Sequence, residues 1–203
     1  FDNFESISKK MILNKNMRVF HEDFTKFNQE KDFDLIYSFN VFEHLSDQNK
    51  YLDIMNKLLS LNGKSVIFCP NYDFPYEPHF VIPIIYNKEL TYKIFKKRID
   101  KHEKTSGGTG LWNGLNLCSK KKIKKYLVKN NYKFEFDNEI KNRLFRRFDD
   151  DQSKYFKKRQ LLVAKITKIA KLFYLDKFIF DILKIPFPYM KIIINKNLDS
   201  NDK

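Results

Sequence analysis

Cysteine, glycine and arginine are all scarce in this chain, and each scarcity removes a class of function. Cys69 and Cys118 are the only two cysteines in 203 residues, and no Cys-x-x-Cys pair occurs. A disulfide framework and a cysteine-based zinc site are therefore excluded, and a reducing, cytoplasmic compartment is the expectation. No apolar run approaches the roughly 18 residues that a membrane-spanning helix needs, and no signal-peptide pattern opens the chain. Glycine numbers five, four of them within residues 107–114. The run Gly107-Gly-Thr-Gly110 does not join a strand to a helix, so it reads as a loop and not as a phosphate cradle. Arginine, the residue best suited to forked phosphate contacts, occurs six times against 33 lysines.

What is present is a globular profile: 42% hydrophobic, 16% aromatic and 32% charged residues, enough for a real core at this length. The net charge of +14 is carried by one half. Residues 1–100 hold 14 basic and 14 acidic side chains, while residues 101–203 hold 25 and 11. A basic half attached to a neutral half suits an anionic partner, with an anionic membrane surface as a candidate and nucleic acid less favoured because arginine is scarce. Lysine excess of this kind is equally the mark of an AT-rich genome.

Hydrophobic periodicity lays out the elements. Phe4, Ile7, Met11 and Ile12 fall at helical spacing, and residues 17–20 suit a short strand. Residues 33–39 form a nearly continuous apolar run, the pattern of a strand covered on both faces. Ser46 is placed to cap a helix running to about Leu61, with Asn62-Gly63 as its left-handed stop. Residues 65–69 read as a second buried strand. A proline-rich loop follows, then a helix near 88–99, a loop over 103–117, a basic helix capped by Ser119, an alternating strand over 132–137, a long basic and apolar helical stretch over 153–184, and a last strand over 189–194. Trp112 either lids a pocket or, as a lone tryptophan usually does, sits in the core, and Tyr76 and Glu77 either line an acceptor site or shape the proline-fixed loop. Strand, strand, helix, strand over 17–70 is an α/β order with a parallel sheet.

The segment from Phe33-Asp-Leu-Ile through Glu43-His44-Leu-Ser-Asp47, with its helix and Leu61-Asn-Gly followed by a strand ending in Pro70-Asn71, resembles the second half of a class I S-adenosylmethionine-dependent methyltransferase. The match is good over residues 17–80 and looser over 110–140. The resemblance implies a Rossmann-like doubly wound sheet of order 3-2-1-4-5-7-6. On that template residues 17–22 are the third strand, 33–39 the fourth, 64–69 the fifth, 132–138 the sixth and 189–194 the seventh. The first strand with its glycine-rich turn, and the second, have no counterpart. The chain is thus expected to be an N-terminally incomplete piece that binds the cofactor poorly as it stands. Its organisation follows as a partial core over 1–140, a helical insertion over 141–185, the last strand over 186–196 and a tail over 197–203.

The same resemblance implies a site. Asp23 occupies the place where the family accepts the adenine amino group of S-adenosylmethionine, and Phe24 offers a backbone N–H and an apolar face. Ser38, Phe39 and Asn40 lie at the carboxyl end of the fourth strand, the edge where open α/β sheets bind ligands. His44 and His79 leave that edge from adjacent strands, and both are candidates for the catalytic groups. Some relatives, small-RNA 2′-O-methyltransferases among them, bind a divalent metal through Glu-x-x-Glu-His and a later His. Here the pattern is Asn40-x-x-Glu43-His44, with the first glutamate replaced. No metal is assigned, and Glu43, His44 and His79 are the residues that would hold one, since imidazole with carboxylate suits Zn, Fe or Mn. The expected reaction is O-methylation of a small-molecule, sugar or lipid-linked acceptor. An RNA methyltransferase using a metal, and a non-catalytic adaptor with this fold, remain the alternatives.

Overall fold

The computed structural model describes residues 24, 33–143, 146, 165, 169, 172–173, 175 and 184–196. The helix expected at the start, the strand over 17–22, Asp23 and most of the stretch over 153–184 lie outside the described residues. The chain divides into two compact units, residues 1–31 and 32–203, and the second holds the sheet.

Four strands build that sheet: β1 (Phe33–Phe39), β2 (Leu59–Pro70), β5 (Lys133–Phe136) and β6 (Tyr189–Asn195), in the order β1-β2-β6-β5. β1 and β2 are parallel, whereas β6 runs antiparallel to both β2 and β5. That order is 4-5-7-6 in the family scheme, so the Rossmann-like α/β fold expected from the sequence is the one observed. The carboxyl ends of β1, β2 and β5 and the start of β6 consequently share one edge, with Phe39 opposite Phe68 and Pro70 opposite Tyr189.

β6 alternates as its sequence requires: Met190, Ile192 and Ile194 are buried. Ile67 and Cys69 of β2, Leu52 and Met55 of α1 (Gln48–Leu58), and Ile123 and Leu127 of α4 (Lys120–Lys129) are buried as well and complete the apolar core. Each such side chain contributes about 1.5–3 kcal/mol on burial. The Asp53 carboxylate on α1 accepts from the hydroxyls of Tyr126 and Tyr132 at 2.8 and 2.5 Å, which ties α1 to α4 and the strand after it.

Three local expectations are corrected. Asp47, not Ser46, caps α1, its side chain accepting from the Lys50 N–H at 2.9 Å. The helix ends at Leu58, so Asn62-Gly63 does not stop it; those residues continue β2. Glycine is needed at 63 for a different reason, because a Cβ there would lie 2.5 Å from the Phe33 carbonyl oxygen. Among the described residues β1 is not covered on both faces either: Tyr37 is 73% and Phe39 63% exposed, and Leu35 shares that open face. A continuous apolar run reports how a strand would be comfortable, not whether an element reaches it.

Beyond β2 the proline-rich loop holds a short hairpin, β3 (Tyr76–Glu77) paired with β4 (Ile82–Pro83). Helix α2 (Lys88–Ser106) runs seven residues past the expected end, capped by Asn87 and closed by Gly107 at φ 68°, the conformation glycine adopts freely. Within the expected loop sits a one-turn helix, α3 (Leu111–Gly114). Phe80 and Ile82 of the hairpin, Ile99 of α2, and Trp112 and Leu115 form a separate buried cluster. Among the described residues no helix is long and apolar enough to cross a membrane.

Candidate active site

The chain leaves β1 through Asn40, whose φ of 52° is left-handed, a conformation asparagine tolerates better than most residues. The Asn40 N–H donates to the Phe68 carbonyl at 2.9 Å, closing the strand pair. A 3-10 turn over Phe42–His44 follows. Phe42 is fully buried and meets the Tyr51 ring edge-on at 5.9 Å. With Phe42 plugged into the core, the tight turn carries Glu43 inward behind it. The Glu43 backbone carbonyl accepts from the Asn116 N–H at 2.6 Å, which fixes the turn from the other side.

Glu43 is 0% exposed, and among the described residues no other one donates a hydrogen bond to either of its carboxylate oxygens. Two imidazole nitrogens lie near Oε1: His79 Nε2 at 3.7 Å and His44 Nε2 at 4.0 Å. Burial holds the Glu43 carboxyl above the ordinary glutamate range, with His79 opposing and Glu77 adding to the rise. Burial and the neighbouring His79 push the His44 imidazole below its ordinary value, against a backbone hydrogen bond at Gly114. The two imidazole rings lie 5.7 Å apart between centroids.

His79 arrives on the hairpin turn. Glu77, also fully buried, accepts from the Phe80 N–H at 2.7 Å with Oε2 and meets His79 Nδ1 at 2.6 Å and the Tyr72 hydroxyl at 3.2 Å with Oε1. A carboxylate on Nδ1 fixes the imidazole as the tautomer with its proton there and leaves Nε2 as an acceptor aimed toward Glu43. Burial, with Glu77 second, pushes the Tyr72 hydroxyl far above its usual value, so Tyr72 stays a neutral donor. The donor atoms of Glu43, His44 and His79 all lie within 4.8 Å of one another, close enough to share one cation.

The structure thus brings His44, His79 and Glu43 together, as the shared strand edge suggested. It also gives Glu77 a double task, fixing the loop and orienting His79; the Glu-x-His spacing was the visible signal. The residues named for the cofactor sit in different surroundings. Ser38 is buried beside the Tyr51 hydroxyl, on the core side of β1. The Phe39 ring stacks on Phe68 at 4.5 Å, and the Asn40 side chain is exposed. Phe24 is half-buried in the unit spanning residues 1–31, and Asp23 lies outside the described residues. Trp112 is core. Cys69 and Cys118 are both buried and free, and the Cys118 thiol donates to the Pro70 carbonyl at 3.0 Å.

Parts of the chain are similar to known proteins. Residues 4–67 match the family model described as a methyltransferase domain. Two uncharacterized proteins from two strains of Mycobacterium tuberculosis are 36% identical over 103 residues, covering 51% of this chain and 35% of each relative. The chain therefore matches about a third of the length of those relatives. Among solved structures, phosphoethanolamine N-methyltransferase 2 of Haemonchus contortus aligns with a TM-score of 0.48 at 13% identity, over 87% of this chain and 36% of that one. Geranyl diphosphate C-methyltransferase of Streptomyces coelicolor aligns with a TM-score of 0.48 at 7% identity, over 95% and 59%. The resemblance read from the sequence agrees with this match: residues 4–67 are similar to a methyltransferase domain, and such a domain implies S-adenosylmethionine as cofactor.

Proposed function

We propose that this chain belongs to an enzyme that transfers the methyl group of S-adenosylmethionine to a hydroxyl oxygen of a small-molecule, sugar or lipid-linked acceptor. The single observation that carries the reading is the convergence of Glu43, His44 and His79 at the carboxyl ends of β1 and β2, where a ligand of an open α/β sheet binds. The cofactor supplies an already activated methyl group, so the protein has to align the acceptor and take a proton. His79 suits the second task. Its Nε2 accepts the acceptor's hydroxyl proton, Glu77 holds Nδ1–H in place, and the Glu43 carboxylate at 3.7 Å stabilises the imidazolium that forms. With S-adenosylmethionine bound, its methyl group would pass from the sulfonium sulfur to the freed oxygen. Asp23, Phe24, Ser38, Phe39 and Asn40 are proposed as cofactor contacts, with Phe39 and Asn40 at the described strand end.

A second reading rests on the same cluster, because a buried carboxylate accepting no hydrogen bond from another described residue fits a cation as well as an imidazolium. Glu43, His44 Nε2 and His79 Nε2 would hold a divalent metal, with Glu77 as the outer partner that orients the imidazole, and an acceptor such as an RNA 2′-hydroxyl would be activated there. Separately, Ile169, Leu172, Phe173 and Leu175 are exposed. That supports a peripheral membrane contact at those four residues.

Calorimetric titration of the intact protein with S-adenosylmethionine tests the whole reading, and absence of binding would overturn it. Metal content after purification, with methyl transfer measured before and after chelation, separates the two roles. Activity that survives chelation assigns His79 as the base; activity lost on chelation and restored by Zn, Fe or Mn assigns the metal.

A further inference from the structure

A second feature of the same sheet edge takes no part in that chemistry. A cleft of about 360 Å³ opens between the end of β2, the segment after β5 and the chain entering β6, a size that suits a small organic ligand. Among the described residues its walls carry Lys120, Lys141, Lys184 and Lys191 against a single acid, Asp137, while Phe136, Phe187 and Tyr189 among others supply an apolar floor.

The polar groups differ in how they are engaged. Asp137 accepts from Lys191 Nζ at 2.9 Å and lies 3.7 Å from Arg143, so this acid is already neutralised. Asn71 is 1% exposed, and its side chain is spent on the Phe187 carbonyl and on the N–H groups of Asp73 and Lys120. The first N–H groups of α4 are likewise filled by Asn71, Asp73 and Ser119. What remains for a ligand is therefore side-chain charge. Among the described residues no carboxylate forms an ion pair with Lys120 or Lys184. Lys120 is half-buried, with Nζ 4.5 Å above the Phe136 ring centroid. Its burial pushes the ammonium below the ordinary lysine range, with Lys124 adding to this and Asp73 opposing it. An anion would reverse that cost. At the rim, Lys184 holds a φ of 52°, a left-handed strain that a non-glycine residue keeps only where its surroundings impose it, and such strain collects at ligand sites.

The cleft also stands beside the candidate active site. Asn71 lines it, and the next residue, Tyr72, donates its hydroxyl to Glu77, the carboxylate that orients His79. We propose that this cleft seats a phosphate or carboxylate group of the methyl acceptor, with Lys120 and Lys184 binding the anion and the apolar floor holding the attached body. The inference rests on the methyltransferase reading for the word acceptor, but not for the binding itself. It narrows the substrate class to acidic organic molecules.

The test is equilibrium binding of 1-naphthyl phosphate to the intact protein in the absence of S-adenosylmethionine, compared with 1-naphthol and with inorganic phosphate. The expected result is binding of naphthyl phosphate at least about tenfold tighter than either fragment. It should weaken with salt and fall about tenfold or more in Lys120→Gln and in Lys184→Gln, the size expected for one charged contact. A thermal transition unchanged in both variants shows that they fold. Equal affinity for naphthol, unchanged affinity in the lysine variants, or no binding would overturn the proposal. Retention on phosphatidylglycerol vesicles without competition by naphthyl phosphate would also overturn it, assigning the lysines to a lipid surface. Naphthyl phosphate bound through Lys120 by a protein that does not bind S-adenosylmethionine would leave the cleft standing and sink the methyltransferase reading.

Discussion

Two stretches of one sheet edge treat charge in opposite ways. Past β1 and β2, Glu43 is sealed from water with no hydrogen-bond donor from another described residue and two imidazoles near it. Past β5, around the start of β6, the buried Asn71 side chain and the Asp137 carboxylate are both satisfied, and the charge is carried by partly solvated lysines. Desolvating an ionisable group costs free energy unless a partner returns it, so the first region is costly to fold and chemically poised. The second is inexpensive and carries positive charge. Under the proposals made above, reactivity and recognition divide along the edge, with Asn71 and Tyr72 as the boundary.

The comparison breaks first at Glu43. Glu43→Gln should lower methyl transfer by the intact protein about 100-fold or more if the carboxylate supports proton transfer or a metal, while folding stability stays equal or rises. The sign follows from linkage. The folded-state pKa of Glu43 is raised by burial, so the folded protein holds that proton more tightly than the unfolded chain. Stability from this group is full at acid pH and is lost as the pH climbs through the folded value. Urea denaturation at pH 5 and pH 8 should show that loss in the parent and a smaller one in Glu43→Gln. Full activity in the variant would remove the distinction between the two regions.

The next largest effect falls on what holds His79 in place. Phe80 is 2% exposed, packs edge-on against Trp112 at 5.5 Å and immediately follows His79. Phe80→Ala should cost about 3–5 kcal/mol by denaturant unfolding, as large-to-small core changes do. A cost under about 1 kcal/mol would mean that the hairpin is not anchored by its apolar cluster.

How much of this was legible in the sequence differs between the same two regions. His44 and His79 could be brought together from strand order alone, because parallel neighbours deliver their following loops to one edge. The α/β order, the Ser119 cap and the last strand were legible for the same local reasons, namely cap chemistry and period-two burial. Burial of Glu43 was not legible. It depends on Phe42 seating against Tyr51 and on Asn116 closing the turn from 73 residues away. Gly63 showed the limit in another way: its proximity to the stop of a helical pattern suggested a left-handed cap, whereas the close approach of the Phe33 carbonyl is the cause. The lysine cleft was invisible because a basic half says nothing about which lysines meet around an apolar floor.

The smallest predicted effect tests whether recognition depends on helix placement. Ser119 caps α4 by accepting from the Lys122 N–H at 3.2 Å and donates to Asp73 at 2.5 Å. Asp73 in turn accepts from the Lys121 N–H at 2.9 Å. Ser119→Ala removes one cap acceptor and should cost about 1 kcal/mol in folding stability. The Asn71 side chain still receives the Lys120 N–H at 3.1 Å, so the start of the helix stays docked to the end of β2. Binding of naphthyl phosphate should therefore weaken only about twofold, far less than in Lys120→Gln, because the ammonium loses position but not charge. If Ser119→Ala and Lys120→Gln abolish binding alike, the anion is held by the geometry of the helix start, and the claim that this side of the edge works through free side-chain charge fails.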